Sequence, residues 1–162
     1  VRGGSIQTKQ KFVDQKLHVE FRTPLLPDQT GQNRGNSGVF LQNRYEVQIL
    51  ESYGLSGENN DCGGIYKLAI PRVNMCAPPL QWQTFDIEFR AARFDSDWNK
   101  TEDARITVYH NGVLIHENLP IPDKTTGSQV TATSEPDSLS LQDHGNPVWF
   151  RNIWLVELPP ED

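Results

Sequence analysis

Apolar and polar residues alternate one for one along four stretches of the chain, and this period of two constrains the fold more than any other feature. Leu17, Val19 and Phe21 alternate with His18, Glu20 and Arg22. Tyr45, Val47 and Ile49 alternate with Glu46 and Gln48; Phe85, Ile87 and Phe89 with Asp86, Glu88 and Arg90; Ile106 and Val108 with Thr107 and Tyr109. Successive side chains of a strand point to opposite faces, so each stretch reads as a strand with one buried and one polar face. Asn111-Gly112 joins 106–110 to 113–116 as a type I′ hairpin, because that turn needs positive φ at both central positions. A second strand pair is expected near the end, around 139–141 and 148–155. No window sustains a period of 3.6, and the best helical candidate is a single turn within 60–68. The expected fold is all-β: a two-sheet antiparallel sandwich or jelly roll.

Composition supports this and sets limits on function. The chain has 162 residues, 12 Gly and 11 Pro, which suits one domain of short strands and many turns. A net charge of −6 argues against nucleic acid as a partner, since phosphates demand a basic face. No apolar run is long enough to span a bilayer as a helix, and no signal peptide is visible. Residues 1–158 read as one domain and 159–162 as a tail or linker. Cys62 and Cys76 are too few for a disulfide scaffold or, alone, a zinc site; whether they bond to each other is left open by their spacing. Long polar loops at 24–37, 52–64, 71–79, 94–103 and 120–137 suggest a recognition surface on a strand scaffold.

Several polar groups stand out. If their strands are neighbours, His18, Glu20 and Arg22, Glu46 and Gln48, and Asp86, Glu88 and Arg90 share one sheet face. That face is either an ordinary solvated surface or a concave site holding polar ligands through charge-assisted hydrogen bonds. Glu46-Val47-Gln48-Ile49-Leu50-Glu51 resembles the Glu-x-Asp-x-x-Glu strand of laminarinase-type glycoside hydrolases, with Gln48 replacing the central Asp. A bulge would return Glu51 to the face of Glu46 and set two carboxylates close enough for a retaining glycosidase pair. His144, beside Asp143 in the loop 142–146, is a candidate acid or base; the alternative is a turn in which Asp143 and Asn146 cap backbone groups. His18, His110 and His116 read as surface or hairpin residues. Asp95-Ser96-Asp97 has oxygen ligands at alternate positions, as a calcium loop does, but Lys100 and Ile106 stand where such a loop needs Gly and Glu. Asn99-Lys100-Thr101 matches a glycosylation sequon. Tyr66 is a possible sugar-stacking platform, and Trp98 and Tyr53, in loops, are better ones, whereas Trp82, Trp149 and Trp154 read as packing residues. No transition-metal centre or other cofactor is expected, with calcium at 95–99 as the alternative.

An ordered series of segments adds a resemblance. It runs through Leu17-His18-Val19-Glu20-Phe21-Arg22, Gly35-Asn36-Ser37-Gly38-Val39-Phe40-Leu41, Arg44–Leu50, Cys62-Gly63-Gly64-Ile65-Tyr66 and Trp82–Ile87. It ends with Leu141–Val148 and Phe150-Arg151-Asn152-Ile153-Trp154. From about Gly4 to Leu158 the chain resembles the 3-keto-disaccharide hydrolases, a family long described only as a domain of unknown function. The resemblance implies a concanavalin A-like β-sandwich with a sugar-binding concave face, carbohydrate as partner, and bacterial export to the periplasm, cell surface or medium. Members carry an earlier Phe-Asn-Gly…Trp segment that this sequence lacks, so a missing segment or a partner chain is expected to complete the sheet. The implied chemistry is loss of the C2 hydrogen beside a C3 ketone, departure of the C1 leaving group, and addition of water. Motif position and strand parity assign Glu46 or His144 as base or acid, with Glu51 as a third catalytic candidate. Arg22, Gln48 and Arg151 are expected to hold substrate, along with Glu20, Asn36, Asp143 and Trp98. The competing readings are a non-catalytic carbohydrate-binding module and a structural module of an extracellular assembly.

Overall fold

The structure is a computed structural model and describes residues 3–159. Its strands are β1 (Ile6–Gln7), β2 (Gln15–Arg22), β3 (Ser37–Leu41), β4 (Tyr45–Ile49), β5 (Gln83–Arg90), β6 (Arg93–Phe94), β7 (Lys100–Glu102), β8 (Ala104–His110), β9 (Val113–Ile121), β10 (Ser140–Leu141) and β11 (Trp149–Glu157). They form a four-stranded sheet in the order β1-β10-β3-β4, a five-stranded sheet in the order β11-β2-β5-β8-β9, and the small β6-β7 hairpin. All pairings are antiparallel. Among the described residues no helix is long and apolar enough to cross a membrane.

The alternation does what its period requires. Leu17, Val19 and Phe21 of β2, with Phe85, Ile87 and Phe89 of β5, turn inward to meet Val39 and Leu41 of β3 and Tyr45, Val47 and Ile49 of β4. All are at most 3% exposed, so they form one continuous core between the two sheets. Tyr45 crosses from one sheet to Phe89 of the other with ring centroids 5.2 Å apart, and Phe21 meets Phe85 at 4.7 Å. The Asn111-Gly112 turn is present, with φ of 51° and 77°.

Four expectations are corrected. First, β2 and β5 are neighbours, but β4 belongs to the other sheet. Since both sheets turn their apolar residues to one core, Glu46 and Gln48 point away from His18, Glu20, Arg22, Asp86 and Glu88, on the opposite outer face. Second, the strands at 139–141 and 148–155 do not pair. β10 joins β1 and β3, whereas β11 joins β2 in the other sheet. Third, residues 60–68 form turns and isolated bridges, Val47 to Ile65 and Ile65 to Ala69, with no helix; among the described residues the one helical turn is at Gly31–Asn33. Fourth, His110 and His116 are buried. His110 sits against Phe85 and hydrogen-bonds Gln83 Oε1 at 3.0 Å; His116 Nε2 hydrogen-bonds the Gly63 carbonyl at 2.8 Å. Both rings fill core space while meeting a polar partner, which alternation alone does not distinguish from exposure.

Candidate active site

β4 is an edge strand, and two loops close over it. Residues 63–66 run along its free edge: Gln48 N donates to Gly64 O, Gly63 N to Gln48 O and Tyr66 N to Glu46 O, at 2.9–3.1 Å. Residues 123–137 cover its outer face. Glu46 N donates to Thr125 Oγ1 at 3.0 Å, and Thr125 Oγ1 donates to Arg44 O at 3.2 Å. Ser128 Oγ donates to Asn43 O at 2.6 Å. The buried Arg44 guanidinium donates to Thr131 O, Thr133 Oγ1 and Glu135 O at 3.0–3.1 Å. The cover is therefore stapled to the strand that carries Glu46.

Glu46 is only 2% exposed, and among the described residues it has no ion-pair partner. Two glycines make room for it. Gly38, on β3, lies under one carboxylate oxygen and Gly127, in the cover, lies over the other; a Cβ at either position would overlap Glu46. Loss of water with no cation in compensation pushes the Glu46 pKa up to about 8. The Gln48 side-chain amide is oriented with its nitrogen toward Glu46 Oε1 and the Ser37 carbonyl, 3.1 Å from each, because the opposite orientation sets its oxygen against two acceptors.

Glu46 opens onto a cavity of about 330 Å³. Carboxamides dominate its wall: Gln32, Asn36, Gln48, Gln129 and Gln142, joined by Tyr66, Thr126, Gly127 and His144. Asn36 fixes one side, its N–H donating to Asn146 Oδ1 at 2.7 Å and its Nδ2 to Gln32 O at 2.8 Å. Gln142 N donates to Gly38 O at 2.9 Å, while its buried Oε1 has no partner among the described residues. Such a wall can hold hydroxyls and a carbonyl through neutral hydrogen bonds. Among the described residues it has one carboxyl, and no arginine or lysine lines it.

The profile of 3-keto-alpha-glucoside-1,2-lyase-like domains matches residues 1–156. The chain belongs to this family. A crystal structure of a candidate glycosyl hydrolase from Parabacteroides distasonis has a TM-score of 0.85 at 38% identity, covering 96% of this chain and 68% of that one. Two more candidate glycosyl hydrolases from the same organism have TM-scores of 0.64 and 0.63 at 21% and 16% identity. They cover 96% of this chain and 83% and 76% of their own, and at those identities the likeness is one of fold. No curated protein matches the chain. Together these place it among carbohydrate-active proteins built on a β-sandwich.

In this family member the sequence-nominated residues separate into groups. Glu46, Gln48, Asn36 and His144 line the cavity together. Glu51 does not join them. β4 ends at Ile49, no bulge follows, and Glu51 Oε2 pairs with Arg34 Nε at 2.5 Å. Glu20, Arg22 and Arg151 lie on the outer face of the five-stranded sheet. There Arg151 Nε meets Glu20 Oε2 at 2.6 Å and Arg22 lies over the Trp149 ring at 4.5 Å. Hydrogen bonds from Asn152 and Arg151 hold the Glu20 carboxyl below its ordinary value. Asp143 is in the loop beside His144, but its carboxylate accepts from Gly145 N and Gly4 N and lines a neighbouring cavity of about 320 Å³. Trp98 is 67% exposed at the β6–β7 turn, away from this wall. In that turn Asp95 Oδ1 accepts from Asp97 N and Asn99 N, closing the loop on itself. Trp149 and Trp154, read as packing residues, are more than half exposed.

Tyr66, a stacking candidate, lines the cavity, while Gln32, Gln129 and Gln142 were not nominated as site residues. Tyr66 and Gln142 lie within the segments that carry the family resemblance, so a signal existed for them. Gln32 and Gln129 come from polar loops with no local pattern to mark them.

Proposed function

We propose that the chain cleaves glycosides that already carry a ketone at C3, with Glu46 as the base that removes the C2 hydrogen. The observation that carries this reading is the solitary carboxyl of high pKa in an amide-lined cavity. Ordinary glycosidases need two carboxyl groups across the scissile bond, about 5–5.5 Å apart for retention and about 6.5–9.5 Å for inversion. The Glu46 cavity has one, since Glu51 is held by Arg34. A C3 ketone removes the need for the second, because it makes the C2 hydrogen acidic and lets the leaving group depart by elimination.

In this scheme the ionised Glu46 takes the C2 proton and the electron pair moves into a C2–C3 enolate. Donors on the wall, such as Tyr66 and the carboxamides of Gln129 and Gln142, meet the charge developing on the C3 oxygen. The enolate re-forms the ketone as the C1–O bond breaks, and His144 at the rim protonates the departing oxygen. This leaves a C1–C2 double bond, the lyase product; addition of water across it completes hydrolysis. Asn36 and Gln48 hold substrate and orient Glu46. An exported setting, in the periplasm or outside the cell, accompanies this reading.

The test incubates the protein with a 3-keto-glucoside and with its unoxidised parent. We expect release of the aglycone from the keto form alone, lost by at least about 100-fold in Glu46→Gln. Tight binding of either sugar without turnover would make the chain a carbohydrate-binding module instead.

A further inference from the structure

Cys62 and Cys76 are buried thiols on two different loops, and the catalytic reading makes no use of them. The structure brings the two together. They hydrogen-bond each other, and the backbone of Leu50 meets both: it contacts the Cys62 thiol, and its carbonyl accepts from Cys76 Sγ at 3.5 Å. Ser52 Oγ accepts from Cys62 N at 3.2 Å and also contacts the Cys76 thiol. Asn74 ties the same loops, its Nδ2 donating to Ser52 O and Leu55 O and its Oδ1 accepting from Cys76 N.

We propose that Cys62 and Cys76 close a disulfide that clamps the loop 71–79 to the segment running along the free edge of β4. Gly63, Gly64 and Tyr66 follow Cys62 directly and hydrogen-bond the backbone of Gln48 and Glu46. The bond therefore anchors the strip that supplies the Tyr66 wall of the cavity. Either cysteine can open the exchange while the chain folds, since neither sulfur is yet buried. With Cys76 leading, its thiolate attacks a disulfide oxidant such as oxidised glutathione, forming a mixed disulfide and releasing one glutathione thiol. Cys62 then gives up its proton and attacks Cys76 Sγ, expelling the second glutathione thiol. Two protein thiols are oxidised and one glutathione disulfide is reduced. Because both sulfurs are buried in the native fold, closure occurs during folding.

The experiment refolds the full chain from denaturant with oxidised glutathione, with a phosphine reductant as control. The expected product has no thiol titratable under denaturing conditions, is two hydrogens lighter than the reduced chain, and yields a peptide joining Cys62 to Cys76. Its melting temperature exceeds that of the reduced chain by about 5–10 °C, as expected for a loop of this length in a chain of this size. The Cys62→Ser/Cys76→Ser double variant melts with the reduced chain and ignores reductant. Two free thiols after oxidative refolding overturn the proposal, as does glutathione on one cysteine with the other still free. A bond that forms without moving the melting temperature overturns the clamp.

Discussion

Glu46 is expensive to keep, and the expense is a measure of its role. Its pKa of about 8 in the fold lies above its ordinary 4.5, so the native state holds the extra proton between those values. Stability therefore declines as pH rises through that window. At pH 7, Glu46→Gln should raise unfolding free energy by about 2–4 kcal/mol in urea titrations while removing turnover of the keto-glycoside. For the wild type, kcat/KM should climb with pH and level off near 8, since the base must be ionised; a profile flat from pH 5 to 9 would exclude Glu46 as the base. The residue itself was legible: strand parity and its motif put it on a polar face. Its supposed partner was not. Glu51 needed a bulge, and β4 instead ends at Ile49, after which Glu51 hydrogen-bonds back to Arg34 through its own N–H.

At the scale of elements, alternation located the strands and told which side chains face inward, but not which sheet each strand enters. Side-chain parity is local, whereas sheet membership depends on pairings between distant segments, such as β10 with β3 and β11 with β2. The cavity wall suffers from the same limit, because Gln32 and Gln129 reach it from loops whose positions only tertiary contacts fix. The cover over Glu46 is an element of this kind. Arg44, at 3% exposure, donates to three positions between 131 and 135 and is the main side chain holding them. Arg44→Met should destabilise the protein by about 2–4 kcal/mol, since it leaves buried acceptors without a donor. Amides within 125–135 should exchange with deuterium faster than those of β2 and β5; uniform acceleration across both sheets would mean that Arg44 stabilises the whole fold and not the cover in particular.

The whole molecule carries opposed titrations. His110 is neutral in the fold, with burial lowering its pKa to about 4 and no partner for its buried Nδ1 among the described residues. Its contribution to stability is complete above about 6.5 and disappears as pH falls toward 4. Burial raises the Asp14 carboxyl, but hydrogen bonds from Arg93, Ala91 N and Arg90 outweigh this and lower it, so its contribution fails only in stronger acid. Between pH 4.5 and 6.5 the His110 and Glu46 slopes oppose each other. Urea midpoints should therefore be flattest there, declining toward pH 8 through Glu46 and toward pH 4 through His110, and His110→Gln should shallow the acid limb. A midpoint rising steadily from pH 4.5 to 8 would contradict the Glu46 assignment, and one falling steadily from pH 4.5 to 6.5 the His110 assignment. The sheet order has one more consequence, for synthesis. Each sheet takes in a strand from the far end of the chain: β10 inserts between β1 and β3, and β11 covers β2. Gln142 and His144 lie between those two late strands. A nascent chain still holding residues 140–157 inside the ribosome thus has neither sheet complete nor a walled cavity, so the site assembles only once those residues have emerged.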